Sequence, residues 1–342
     1  MIKEVLKQLW KDKFARIALI VLGVIYFALL TADFIAPYSK DFSDRTMAYV
    51  PPSKVFTIDE NGKFSRPYTY NYIREFDQDN LEIKYSLDRK TKHYIKFFKN
   101  GHLFSTDRGG RIFLLGTDIN GRDVFSRLLF GGRISMTIGF LALFVLFPIG
   151  LLYGGISGYF GGKVDMIMMR FAEAIMSIPS FYLLIILASI LPSGMTSTQR
   201  FLLIVIILAL IGWAGFARVV RGMVLSIKNQ EYVQSAQAIG ASKFRIITKH
   251  ILPQTTSFVI VAMTLSVPSY ILSESGLSFL GLGIQQPDAS WGNMLKEAQE
   301  FTNILYRPWL LTPGFLIFVS VLAFNLIGDT IRDVLDPKSK VR

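Results

Sequence analysis

The sequence predicts an all-α polytopic membrane protein of six transmembrane helices, with a small, mostly β insertion outside the membrane between spans one and two. Three observations predict it. Of the 342 residues, 51% are hydrophobic and only 18% are charged, against about 25% charge in an average soluble domain. Apolar stretches of about 20 residues recur, the length at which a helix rising about 1.5 Å per residue crosses a hydrocarbon core about 30 Å thick. The lysines and arginines behind a net charge of +12 are spread unevenly around those stretches. There is no cysteine, which excludes a disulfide scaffold, a thiolate metal site and a cysteine nucleophile. The three histidines, His93, His102 and His250, are too scattered to suggest a zinc cluster.

The six spans fall at about 17–36, 134–157, 171–191, 201–220, 255–272 and 309–328. Ser, Pro and Glu interrupt spans three and five, as in helices that face other helices or a polar path rather than lipid. Basic residues near short loops set the orientation. With a cytoplasmic N-terminus, the inside segments hold Lys3, Lys7, Lys11, Lys13, Arg16, Lys163, Arg170, Arg218, Arg221, Lys228, Lys243, Arg245, Lys249, Arg332, Lys338, Lys340 and Arg342. The two short outside loops hold Arg200, Lys296 and Arg307. Both termini are therefore expected in the cytoplasm, and the positive charge is a topology signal rather than a nucleic-acid footprint. Span one is longer than a signal-peptide h-region and no small-x-small site follows it near 31–37, so it is expected to stay as an uncleaved anchor.

The chain then divides into an N-terminus and anchor (1–36), an outside loop with a small insertion (37–133) and a five-helix core (134–342). Within the loop, 56–113 is rich in Tyr and Phe and carries two Asn-Gly pairs, Asn61-Gly62 and Asn100-Gly101. Asn-Gly favours tight hairpins because both positions accept positive φ. The stretch KHYIKFF, 92–98, reads as a strand. Span two ends in a glycine ladder, Gly150, Gly154, Gly158 and Gly162, whose spacing lets helix backbones approach closely. GYFGGKV is not a phosphate loop: Ser157 stands where its first glycine would be, and Val164 follows Lys163 where Ser or Thr is needed. ATP binding by this chain alone is therefore not expected.

The most informative stretch is the cytoplasmic segment 221–254, RGMVLSIKNQEYVQSAQAIGASKFRIITKHILPQ. It is too long for a simple turn and too polar for lipid. Residues 231–239 read as a helix with small Ser235, Ala236 and Ala238; Gly240 stands at a left-handed C-terminal cap, Ser242 at the N-cap of a second helix, and Pro253 at its end. On physics alone the product is a helical hairpin that either rests on lipid headgroups or enters a groove on another protein.

The residue pattern resembles the cytoplasmic coupling motif of ABC importer permeases: Glu-Ala-Ala, three residues, Gly, nine residues, Ile-x-Leu-Pro. Aligned on Gly240 and Pro253, this chain has Gln234-Ser235-Ala236 and His250-Ile251-Leu252-Pro253. The spacing matches, while Gln, Ser and His replace Glu, Ala and Ile. LLGTDINGRDVFSRLLFGGRIS (114–135), LSESGLSFLGLGIQQPDASWGNMLKEA (272–298) and PWLLTPGFLIFVSVLAFNLIGDTIRDVLDPK (308–338) are similar to the C-type permease subunit of dipeptide and oligopeptide importers.

The resemblance implies a non-catalytic permease in the bacterial inner membrane. It pairs there with a second, distinct permease, two ATPases that carry ATP and Mg, and an outside substrate-binding protein; the chain itself binds no cofactor, metal or nucleic acid, and touches membrane lipid. It implies that 231–253 transmits the ATPase motion, with Gln234, Ser235 and Ala236 at the ATPase groove, Gly240 at the turn and Pro253 at the helix end. Peptides are the default substrate; nickel chelates, sugars or peptide antibiotics share this subunit type.

Other residues carry weaker readings. Glu274, at the outer end of span five, and Glu173, near the inner end of span three, suit either a translocation path or gate or a structural hydrogen bond at a helix end. Pro148, Pro179, Pro268 and Pro313 mark kinks or breaks. Asp118, Arg122, Asp123 and Arg127, on the outside just before span two, are spaced for mutual ion pairs on a helix, which suits either a solvated structural pair or gating and docking of the binding protein. A stand-alone secondary transporter lacks support, because no inverted repeat and few mid-span ionisable groups are visible. An intramembrane enzyme lacks any Ser/His, His-Glu-x-x-His or paired Asp constellation.

Overall fold

The computed structural model describes residues 2–59, 62–77, 82–99, 101–107, 109–192 and 194–335. Among them, five helices are long and apolar enough to cross a membrane: Lys13–Leu30, Val124–Phe160, Ser197–Ile227, Lys243–Phe279 and Pro308–Leu335. Gly162–Met176 followed by Ser180–Ser189, with a bend of 77°, makes a sixth if the pair is counted as one span. The span expected at 171–191 straddles that break. Pro179 has no N–H to donate and biases Ile178 away from helical backbone, so the helix ends at Met176 and restarts at Ser180. Pro148 and Pro268, by contrast, lie inside continuous helices, and Pro313 occupies the first turn of Thr312–Leu335, where its missing N–H costs little.

The chain forms two compact units. One comprises Met1–Leu22, Met136–Leu277 and Phe318–Arg342. It contains the glycine ladder, which is a helix seam within this chain. A methyl group at Gly150 would lie 2.6 Å from Phe216 Cδ1, and one at Gly158 would lie 2.8 Å from both Arg221 O and Val224 Cβ. At Gly154 it would strike the Ala217 carbonyl. The helices Val124–Phe160 and Ser197–Ile227 are thus in backbone contact at three rungs. Gly162 is not a fourth rung: with Gly161 it takes positive φ (+54° and +65°) and turns the chain into the next helix.

The other unit comprises Gly23–Ser135 and Ser278–Ile317. Its insertion is β, as expected. Strands β1 (Phe56–Ile58), β2 (Phe64–Thr69), β5 (His93–Lys99) and β6 (His102–Thr106) form one antiparallel sheet in the order β1-β2-β5-β6, and β3 (Tyr72–Asp77) pairs with β4 (Glu82–Leu87) separately. Gly62 and Gly101 take φ of +73° and +79° in the β1–β2 and β5–β6 turns. Their partners in the Asn-Gly pairs, Asn61 and Asn100, lie outside the described residues. Buried Tyr68 and Tyr70 meet Phe56 at ring-centroid distances of 5.6 Å and anchor the larger sheet.

Candidate functional site: the segment between spans four and five

The helix Glu231–Ala238 forms where expected, and glycine ends it. Gly240 sits at φ +81°. Its N–H donates to Gln237 O at 3.0 Å, and the Ala241 N–H donates to Ala236 O at 3.1 Å. This pair of bonds is the Schellman arrangement, which a left-handed residue makes possible. A Cβ at Gly240 would meet nothing within 4 Å, so the requirement there is conformational and not steric.

One face of this helix is fixed to the chain. Val233 and Ala236 are buried in an apolar cluster with Val220, Val224, Ile227, Ile246 and Ile251. Polar ties reinforce the seat. The Lys228 ammonium donates to Gly158 O at 2.9 Å and to Tyr159 O at 3.4 Å, capping the carbonyl end of the helix Val124–Phe160. Gln237 Nε2 donates to the Tyr159 hydroxyl at 3.3 Å. Arg221 is held by both oxygens of Asp165, with Nε to Oδ1 at 2.9 Å, and the Ser157 hydroxyl donates to the same carboxylate.

Two sequence expectations need correction here. Ala236 is 4% exposed and faces the cluster, so of the three residues assigned to a partner groove only Gln234 and Ser235 reach the surface. The helical spacing of Val233 and Ala236 puts both on the inner face. Pro253 does not end a helix. Ser242 caps Lys243–Arg245 as predicted, but the backbone continues through a wide π turn (Ile246–Ile251) and a 3₁₀ turn (Leu252–Thr255) into Thr256–Phe279. The wide turn, in which the Leu252 N–H reaches back to Ile247 O, accommodates the proline ring and its missing donor.

Two residues escaped the sequence reading. Ile239 is 86% exposed and Phe244 67% exposed, and they flank the glycine turn. No spacing signal marked Ile239, which stands three residues after Ala236 as Ala236 does after Val233; the helix ends at Ala238 and leaves it outward.

The carboxylates behave differently from one another. Glu173 pairs with Arg170 at 3.2 Å and Arg218 at 3.9 Å and is 40% exposed, which is a structural pairing at a helix end. Glu274 is fully buried within Thr256–Phe279, five residues before that helix ends, and accepts the Ser275 hydroxyl at 3.5 Å.

Asp118, Arg122, Asp123 and Arg127 are not solvated and do not share a helix. All are at most 7% exposed. Asp118 accepts backbone N–H from Asn120 (2.8 Å) and Arg122 (3.0 Å) and the Arg122 Nε at 2.6 Å, closing a turn. Asp123 caps the helix Val124–Phe160 through Ser126, N–H at 2.7 Å and hydroxyl at 2.6 Å. Arg122 also meets Glu297 at 3.4 Å and bonds Gln286, while Arg127 reaches Gln286 Oε1 and Pro287 O, each at 3.1 Å. This knot ties 118–127 to 286–297.

Burial, with the Asp118 carboxylate nearby, pushes the Glu297 carboxyl up to about 7. The folded state then holds that proton more tightly than the unfolded one. Its stabilising share is present below the ordinary glutamate range and is lost as pH rises through 7. A melting series from pH 5 to pH 8 should show stability falling as pH rises. Glu297→Gln should flatten that slope; an unchanged slope would assign it elsewhere.

Residues 147–341 match the family described as binding-protein-dependent transport system inner membrane component. Residues 1–52 match the N-terminal transmembrane domain of oligopeptide transport permease C. The β insertion lies between the two matches. The dipeptide transport system permease protein DppC of Bacillus subtilis is 47% identical over 225 residues, 65% of this chain and 68% of that protein. The oligopeptide transport system permease protein OppC of Haemophilus influenzae is 45% identical over 226 residues, 66% of this chain and 70% of that one. Among solved structures, an amino acid ABC transporter with histidines superposes at a TM-score of 0.40 and 16% identity, over 61% of this chain and 94% of that one, too loosely to carry an argument. With one family match spanning more than half of its length and relatives above 40% identity, the chain belongs to the binding-protein-dependent transport system inner membrane components.

Proposed function

We propose that this chain is one of two permeases in an ATP-driven importer of peptides, and that the helix Glu231–Ala238 with its glycine turn couples the spans to two ATPase subunits. The 47% identity to a dipeptide permease over 225 residues carries the substrate reading. The site geometry supports the coupling reading. The inner face of the helix is seated on Val220, Val224 and Ile227, so a displacement of the helix moves span four with it. The outer side presents Gln234, Ser235, Ile239 and Phe244.

In this reading both termini and 221–254 are cytoplasmic, a binding protein delivers substrate on the other side, and ATP acts only through the partners. ATP-driven closure of the ATPases shifts the coupling helices, and the spans exchange inward-open and outward-open states. Moving such an equilibrium from one side to the other takes about 5 kcal/mol of differential binding, which closure around ATP supplies.

The test is reconstitution with a second permease, two ATPases and a binding protein, and uptake of a labelled dipeptide. Uptake of a nickel chelate instead of peptide would overturn the substrate reading. Gly240→Val should abolish uptake while the chain still inserts, because a β-branched residue at φ +81° costs at least about 1–2 kcal/mol and undoes the Schellman bonds. Wild-type uptake by that variant would remove the coupling role.

A further inference from the structure

The β5–β6 hairpin ends in two exposed phenylalanines. Phe97 is 55% exposed and Phe98 is 76% exposed. The two adjacent rings make this end of the hairpin aromatic and open. Phe98 also holds a left-handed backbone, φ +54°, a strained choice for a bulky residue.

The neighbourhood of the tip indicates what covers it. Span one, Lys13–Leu30, is only 22% buried within the chain. Its Val24, Phe27 and Leu30 are 63%, 66% and 77% exposed, a stripe that hydrocarbon covers. Arg133 puts a charged group at the end of the span. Its Nε donates to Leu29 O at 2.6 Å, and its Nη2 donates to Leu30 O at 3.1 Å and to Asp33 at 2.6 Å. In the short helix just beyond, Ala32–Ile35, Phe34 meets Phe98 with ring centroids 6.0 Å apart. Phe98 therefore stands beside the end of the lipid-covered stripe, at the height of the charged boundary. Lys96 and Lys99 flank the two rings in the strand, cations that complement lipid phosphates.

We propose that the β5–β6 tip is a membrane-surface anchor: Phe97 and Phe98 enter the headgroup region of the bilayer where span one emerges, and Lys96 and Lys99 pair with lipid phosphates. The insertion thereby gains a second attachment to the membrane, independent of any transport role.

The chain has no cysteine, so Phe97→Cys and Phe98→Cys each introduce a single labelling site. The full chain, spin-labelled at either position, is reconstituted in phosphatidylethanolamine–phosphatidylglycerol vesicles, with Val24→Cys as the lipid reference. Oxygen, which concentrates in lipid, should reach both labels more readily than an aqueous nickel chelate. A bimane label at the same positions should be quenched by brominated lipid, which checks the reading with a second reporter. Preferential access by the nickel chelate overturns the proposal, because the tip is then in water. Labels shielded from both reagents overturn it too, because a protein then covers the tip.

Discussion

Replacing Ile239 and Phe244 together with aspartate should strip the ATPase subunits from the purified complex and abolish ATP-dependent uptake, while the chain itself stays folded in the membrane. The two side chains are 86% and 67% exposed, so the new carboxylates keep their water in the isolated chain. The cluster of Val233, Ala236, Ile246 and Ile251 beneath them is untouched. In an apolar groove the balance reverses. Fully burying a large aliphatic or aromatic side chain is worth about 1.5–3 kcal/mol, and taking an unpaired carboxylate out of water costs more than that gain. The combined loss exceeds about 3 kcal/mol, or at least a hundredfold in affinity. Co-purification of the ATPases, alongside a melting curve of the permease alone, separates the two effects. Retention of the ATPases at wild-type strength would move the docking point away from the glycine turn.

Gly154→Leu should instead destabilise the helix core. The Cβ it introduces would strike the Ala217 carbonyl and crowd Val220. The first of these is backbone, which cannot swing aside as a flexible side chain can. Overpacking a tight seam costs about 1–3 kcal/mol, and the rungs at Gly150 and Gly158 would part with the one between them. A fall of several degrees in melting temperature and loss of the folded chain from detergent extracts are expected. Gly222→Ala supplies the contrast, because a methyl group there meets nothing within 4 Å. Equal melting temperatures for the two variants would refute the seam.

The features legible in the sequence were those governed by local rules. Hydropathy located the spans, because a helix in hydrocarbon needs an unbroken apolar length. Gly62, Gly101 and Gly240 announced their turns, because positive φ selects glycine. Three rungs of the glycine ladder were real for the same local reason.

What failed depended on partners distant in sequence. Asp118, Arg122 and Arg127 read as surface charges until Gln286, Pro287 and Glu297, more than 150 residues on, enclose them. Ala236 read as a docking residue because its burial comes from Ile246 and Ile251 in the next element. Pro179 and Pro253 are the same residue type with opposite outcomes. One breaks a helix at 77°, and the other is absorbed by a wide turn. The sequence near each proline does not reveal which neighbours will compensate for the lost hydrogen bond.

The unbroken helical backbone from Lys243 to Phe279 has a mechanical corollary. A rod carries torque that a loop would dissipate, so a twist applied beside Phe244 is passed toward Glu274 as rotation about the helix axis. The place along that rod with slack is the wide turn Ile246–Ile251, where an extra residue is wound into the spiral. Passing that surplus along the axis by one position would re-aim only the residue it crosses and leave the helix on either side in register, which makes this turn a local swivel between the exposed end of the rod and its buried half.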